Sequence, residues 1–262
     1  MIDPEVRARL DHHILAAQAV LFNTIKGGIF EVAEDWALGF SGLRGPHFNM
    51  FLPLTPAGLN DDSLADAAAY FFERRVYYSV TLIHDRFPHG PDFLDRRGYQ
   101  PLPPEPAMYL CGPPTDVWSV PGVSVQRVRT VPALSAFCTV LHRVFDFPLE
   151  DMVRKIPVNH LKNEFIQHYL AFVDDQPVGA GTLVCAEDAS SIWNLCTLDG
   201  YRNRGVAKTL LSHMLGDAAE QRCGLTMLYS TAQAYHLFSR FGFEIFTQRQ
   251  AFLPPGIVYT DE

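Results

Sequence analysis

The sequence predicts an α+β fold, a mixed sheet flanked by helices, with the same architecture laid down twice along the chain. Three observations carry this. After residue 120 the chain reads β-α-α-β-β-β-α-β-α-β, an order that mixes hairpins with a crossover connection. Ala207, Leu210, Leu211, Met214, Leu215 and Ala218 form one apolar stripe, so residues 205 to about 222 are a surface helix with one buried face. Shifting the chain by 144 residues brings "DFLDRRGYQ" (92–100) onto "HLFSRFGFE" (236–244), both with Arg-x-Gly-aromatic and both preceded by a strand.

Each element has its own warrant. "GVSVQRVRT" (122–130) alternates as a strand, and Val131-Pro132 opens a helix that runs to about Phe145. A second helix covers roughly Leu149 to Leu161. Three strands follow, at 165–174, 177–188 and 190–198, separated by the turn sequences "DDQP" and "EDAS". After the amphipathic helix come a strand, "LTMLYST" (225–231), and a helix over 232–243 that ends at Gly242. A last strand begins at Glu244, and Tyr259-Thr260 is expected to add a short further one. In the first half, "PHFNMFLP" (46–53) falls on "SSIWNLCT" (190–197), each a strand with an asparagine. The helix 63–75 has Leu64, Ala67, Ala68, Phe71 and Phe72 as its stripe, in a register slipped by one residue. The Pro-rich "PLPPEPAMYLCGPPTD" (101–116) carries the last strand of this half and then a linker. The expected division is residues 1–118 and 119–262.

Composition narrows the function. With 262 residues, 48% of them hydrophobic, the chain can build a substantial core. The balance of 21 basic against 29 acidic residues argues against nucleic acid as a partner. No apolar run reaches membrane-spanning length, and the N-terminus lacks a signal-peptide profile, so no membrane partner is expected. The five cysteines are odd in number and show no CxxC spacing, which disfavours a disulfide framework or a zinc site and fits a cytoplasmic location. His12 and His13 are read as solvated side chains on a surface helix.

"LDGYRNRGVAKTLLSHML" (198–215) carries the chemistry. A helix start ordinarily offers Ser, Thr, Asp or Asn to its free N–H groups. Here a glycine-containing turn stands instead, flanked by Arg202 and Arg204 with Lys208 just inside. Free N–H donors, the positive end of the helix dipole and cationic side chains together suit a phosphate.

The order of elements and two motifs resemble the GNAT superfamily of acyl-CoA-dependent N-acyltransferases. One motif is the R/Q-x-x-G-x-G/A loop, present as Arg202-Asn203-Arg204-Gly205-Val206-Ala207; the other is the helix ending Phe238-Ser239-Arg240-Phe241-Gly242-Phe243. The resemblance covers about residues 122 to 255. It implies that the N–H groups from Asn203 through Arg204, Gly205, Val206 and Ala207 to Lys208 hold the pyrophosphate of acetyl-CoA, the co-substrate. A Cβ at Gly205 would on this reading face the phosphates. The resemblance also implies that the backbone of Leu195, Cys196 and Thr197 pairs with the pantetheine arm and polarises the acyl carbonyl. Cys196 reads as a buried thiol.

One departure bears on mechanism. The family commonly has a tyrosine, as acid for the leaving thiolate, at the position occupied here by Phe238. Tyr235, three residues earlier, is the candidate substitute. His168, Glu187 and Asn194 (through water) are candidates for the base. In the first half "AGLNDDSL" puts Asp61 and Asp62 at a helix start, where carboxylates repel a pyrophosphate. That half is therefore expected to be a degenerate, GNAT-like copy without coenzyme, walling the acceptor pocket or stabilising its partner. Two functions stay open: an N-acetyltransferase acting on a small-molecule or amino-acid-like amine, or a catalytically weak or inactive CoA-binding regulatory or scaffold protein. Either is compatible with a monomer or a homodimer.

Overall fold

The computed structural model describes residues 2–114 and 116–257. The expected strand at 259–260 lies outside them. In chain order the elements are α1 (Pro4–Asn23), β1 (Ile29–Val32), β2 (Trp36–Phe40), β3 (Met50–Pro53), α2 (Asp61–Glu73), β4 (Ser79–Ile83), α3 (Gly90–Asp95), β5 (Gln100–Pro101) and β6 (Glu105–Cys111). They continue with β7 (Ser124–Arg127), α4 (Val131–Phe145), α5 (Leu149–Lys155), β8 (Ile166–Val173), β9 (Gln176–Ala186), β10 (Ala189–Thr197), α6 (Val206–Glu220), β11 (Leu225–Tyr229), α7 (Tyr235–Arg240) and β12 (Glu244–Leu253).

Local chemistry sets most boundaries. Asp3 caps α1 by accepting from the Glu5 and Val6 N–H groups, with Pro4 in the first turn. Thr130 caps α4 in the same way through Ala133. The expected single helix over 149–161 is two pieces, because Pro157 lacks an N–H and keeps Ile156 out of helical backbone; a 3-10 turn resumes at Val158–Lys162. Asp174 and Asp175, at φ of 49° and 61°, make the two-residue hairpin between β8 and β9.

The strands form one sheet in the order β1-β2-β3-β4-β12-β6-β11-β10-β9-β8-β7, with β5 on β12. The order reads alike from both ends. β3 and β4 pair in parallel, as do β10 and β11. β12 lies antiparallel to β4, and β6 lies antiparallel to β11. The 144-residue shift takes α3 to 234–239, beside α7, and α2 to 205–217, beside α6. The chain thus forms two similar halves of one sheet joined at the β6–β12 pair, with each half's last strand lent to the other. Strand pairing crosses residue 118.

Helices cover both faces. α6 and α7 pack with β8, β9 and β11 around Tyr169, Leu183, Leu210, Met214 and Phe241. Gly181 lets α6 approach, since a Cβ there would stand 2.7 Å from Met214 Sδ. α4 and α5 cover the opposite face around Phe137, Leu141 and Met152. The long α1 spans both halves on that face, reaching β11 through Leu10 and Ile14 and β2 through Phe22. His13 was expected in solvent with His12. It is buried at 2% exposure on the inner side of α1, whereas His12 lies exposed against Glu187. Adjacent helical residues point about 100° apart, so one of the pair can face the sheet. Among the described residues no helix is long and apolar enough to cross a membrane.

Candidate active site

β10 and β11 pair only as far as Ile192 and Leu228, then separate. The β10 tail from Trp193 to Thr197 keeps its pairing with β9, interrupted by a bulge between Trp193 and Cys196. Asn194 sits in that bulge at φ 55°. The wedge between the diverging strands opens into a groove of about 640 Å³. Leu195, Cys196 and Thr197 form one wall and Ala234, Leu237 and Phe238 the other. Asn203, Gly205, Val206, Ala207 and Lys208 stand along the same groove. Burial pushes the Cys196 thiol up to about 12, so it stays protonated and is no nucleophile.

The N-terminus of α6 carries no side-chain cap. Helix geometry leaves the N–H groups of Val206, Ala207 and Lys208 without intrahelical partners. Asn203 and Gly205 hold left-handed backbone at φ 61° and 80°, a curvature that turns successive amides inward. The reason for glycine at 205 differs from expectation. Its missing Cβ would point at Val120 Cγ2, 2.6 Å away, rather than into the groove. The left-handed φ and the Val120 side chain therefore both favour glycine. The nearby cations are held in place: Arg202 pairs with Asp199 at 2.8 Å, Arg204 lies over the Tyr201 ring and Lys208 over Trp118. Arg204 itself is not in the groove lining.

The corresponding helix start in the first half is closed from within. Asn60 accepts from the Ser63 N–H while Ser63 accepts from the Asn60 N–H, a complete capping box. Asp61 is bound to Arg97 at 2.8 Å, and Glu34, Asp35, Asp62 and Asp66 line the adjoining hollow. That surface repels phosphate.

A second cavity, of about 280 Å³, lies under α1 beside the bulge. Trp193 and Asn194 line this cavity while the next residues of β10 line the groove, so one strand borders both. Gln18, Leu21 and Phe22 of α1, Ile25 just beyond its end, Met50, Ser79 and Thr81 of the first half, and Lys155 complete much of its wall.

A buried hydrogen-bond chain fixes Asn194. The Thr24 hydroxyl donates to the Val20 and Leu21 carbonyls, so its oxygen accepts from His160 Nε2 at 2.7 Å. His160 Nδ1 then accepts from His168 Nε2 at 2.9 Å, and His168 Nδ1 from the Thr182 hydroxyl at 2.9 Å. Thr182 Oγ1 in turn accepts from Asn194 Nδ2 at 3.2 Å. Each donor is used in one direction, which leaves the amide oxygen of Asn194 for the cavity. Burial lowers the His160 pKa to about 4 and that of His168 well below its ordinary value, so both rings are neutral in this chain.

Residues 164–245 match the family model of the acetyltransferase (GNAT) domain. This chain carries a GNAT domain. Uncharacterized protein YyaT of Bacillus subtilis (strain 168) is 28% identical over 94 residues, 36% of this chain and 62% of that protein. A GCN5-related N-acetyltransferase from Kribbella flavida superposes with TM-score 0.69 at 17% identity, covering 94% of this chain and 95% of its own. One from Sphaerobacter thermophilus gives 0.63 at 16%, covering 87% and 84%. A tandem GNAT protein from the clavulanic acid biosynthesis pathway gives 0.62 at 13%, covering 92% and 93%. At these identities the likeness is one of fold, and it extends over both halves.

Within the GNAT domain, the structure brings together Leu195, Cys196 and Thr197 with Asn203, Gly205, Val206, Ala207 and Lys208. It does not bring Tyr235 to them. Tyr235 opens α7 with its ring edge-on to His236 and against the α6-side core, and of the two residues it is Phe238 that lines the groove. Glu187 stands in the β9–β10 turn at the far end of β10 from the bulge, bound to His12. His168 and Asn194 are joined through Thr182. Lys155, His160, Thr24 and the α1 wall carry no motif, because only the folded sheet puts them beside Asn194.

Proposed function

We propose that the protein transfers the acetyl group of acetyl-CoA to the amine of a small molecule, with the coenzyme on residues 119–262 and residues 1–118 walling the acceptor. The separation of β10 from β11 beside the uncapped start of α6 carries this reading. It offers free main-chain groups along an apolar cleft and free N–H donors at its mouth, which is what a pantetheine arm and a pyrophosphate require. Acetyl-CoA supplies the acetyl group as an activated thioester. In this reading Val206, Ala207 and Lys208 bind the pyrophosphate through their N–H groups, with Asn203, Arg204 and Gly205 shaping the loop. The backbone of Leu195 to Thr197 lines the arm and polarises the carbonyl. Asn194, held by its hydrogen-bond chain, accepts from the amine and aims its lone pair at the bulge, so the gain is one of positioning.

A second reading, a coenzyme-binding protein without catalysis, is favoured by Phe238, which has no proton to give, and by Tyr235 lying outside the groove. A free thiol has a pKa near about 8.5, so a thiolate can leave without a side-chain acid near neutral pH. Thermal unfolding with and without CoA, followed by thiol release from acetyl-CoA over a panel of amines, separates the two. Coenzyme should raise Tm in either case. Release with at least one amine, unchanged within about twofold in Tyr235→Phe, is expected of transfer by positioning; a general acid would be worth about a hundredfold or more. A Tm indifferent to CoA would remove both readings.

A further inference from the structure

The cavity under α1 has an unbalanced charge. No Asp or Glu lines it, while Lys155 and Arg249 do. Arg249 is already neutralised: Glu105 takes its guanidinium, at 2.9 Å through Nε, and the Tyr229 ring lies beneath it. Lys155 has no such partner. It lies at the end of α5 with Nζ 5.1 Å from the Phe48 ring centre, and among the described residues no carboxylate comes within salt-bridge distance. Its residue is half-buried, and the desolvation of its ammonium lowers its pKa to about 8. A mostly protonated ammonium left in such a place is costly unless an anion joins it.

The rest of the lining defines what that anion is attached to. Leu21, Phe22, Ile25, Met50 and Trp193 give an apolar body, and Asn194 stands at the bulge with its amide oxygen unclaimed. A plain cationic amine would meet a positive cavity with no carboxylate to receive it. An amine that brings its own negative group would not. We propose that this cavity takes an acceptor of amino-acid size that carries a carboxylate beside an apolar group, the carboxylate bound by Lys155 and the amine directed to Asn194. This rests on the acetyl-transfer reading for the fate of the amine, and on the cavity's charge alone for the carboxylate.

The test uses the full chain, with Lys155→Met and Lys155→Glu, and three matched probes: L-phenylalanine, L-phenylalaninamide and 2-phenylethylamine, with L-leucine and L-leucinamide as a second set. Thiol release from acetyl-CoA is read alongside Tm in the presence of CoA. In the native protein kcat/KM for the amino acid should exceed that for its amide by about 10- to 100-fold, the range for losing a hydrogen bond to a charged group. Lys155→Met should bring that ratio near one through KM, with CoA affinity unchanged, and Lys155→Glu should favour the carboxylate-free amines. Preference for carboxylate-free amines in the native protein, or a ratio that survives Lys155→Met, would overturn the proposal. A Tm rise with the amino acids, lost in Lys155→Met but without thiol release, would uphold the carboxylate site and sink acetyl transfer. No carboxylate-dependent Tm rise and no release would sink both.

Discussion

Replacing Thr182 by valine removes one hydroxyl and keeps the side-chain shape. That hydroxyl is fully buried and is the hinge of the chain behind the bulge, 2.9 Å from His168 Nδ1 and 3.2 Å from Asn194 Nδ2. Without it His168, 2% exposed, keeps a lone pair with no donor, and Asn194 keeps an amide N–H with no acceptor. A buried polar group left unpaired costs about 1–3 kcal/mol. His168 carries the full penalty; Asn194, at the cavity edge, can turn to water and carries less. The expected loss is about 2–4 kcal/mol, read from urea unfolding at pH 8 with an unchanged m-value. Once the amide can rotate, its oxygen is no longer held toward the cavity. Turnover should therefore fall while CoA affinity, set across β10 in the groove, stays constant. Thr182→Ser keeps the hydroxyl and should restore most of the turnover. A Thr182→Val protein within about 0.5 kcal/mol of the parent and equally active would refute the orienting role assigned to this chain.

Two further outcomes follow. Gly205→Ala adds a Cβ at φ 80° against Val120, so about 1–2 kcal/mol of stability should be lost to the left-handed backbone alone. Calorimetric titration should show weaker CoA binding as the loop shifts; unchanged affinity would detach the loop from the pyrophosphate. Stability should also fall on acidification. His13 and His160 have folded pKa values lowered to about 4 by burial, against 6.5 unfolded, so the unfolded chain binds more protons between those limits. Stability is complete above about pH 6.5, declines toward pH 4, and each of these groups accounts for about 2 kcal/mol by pH 5. His168, also lowered, adds to the same slope. Urea midpoints at pH 7.5, 6 and 5 measure it, and a flat profile would contradict the buried neutral state of these rings.

Local signals in this chain are strong where short-range chemistry decides. The stripe from Ala207 to Ala218 and the Thr130 and Asp3 caps fix helices from within a few residues, and the Asp174-Asp175 turn fixes a hairpin. The glycine turn before α6 points to an anion site from sequence alone, and Asp61 and Asp62 at the matching helix start point away from one in the first half. The 144-residue repeat was legible because related halves keep related patterns. What stayed hidden depends on neighbours far apart in sequence. Strand exchange at β6 and β12 leaves no trace in their alternation, since an apolar strand pairs equally well with either half. Glycine at 205 was legible, but one cause of it, the Val120 side chain, was not. Tyr235 and Phe238 are close in helical phase, and only the placement of α7 against the sheet decides which one the groove meets. His13 sits inside and His12 outside because α1 rolls one face onto both halves. The cavity under α1 is the extreme case. Lys155, Asn194, Met50 and Phe22 belong to four distant segments, and their shared space exists only because one sheet curves beneath one helix.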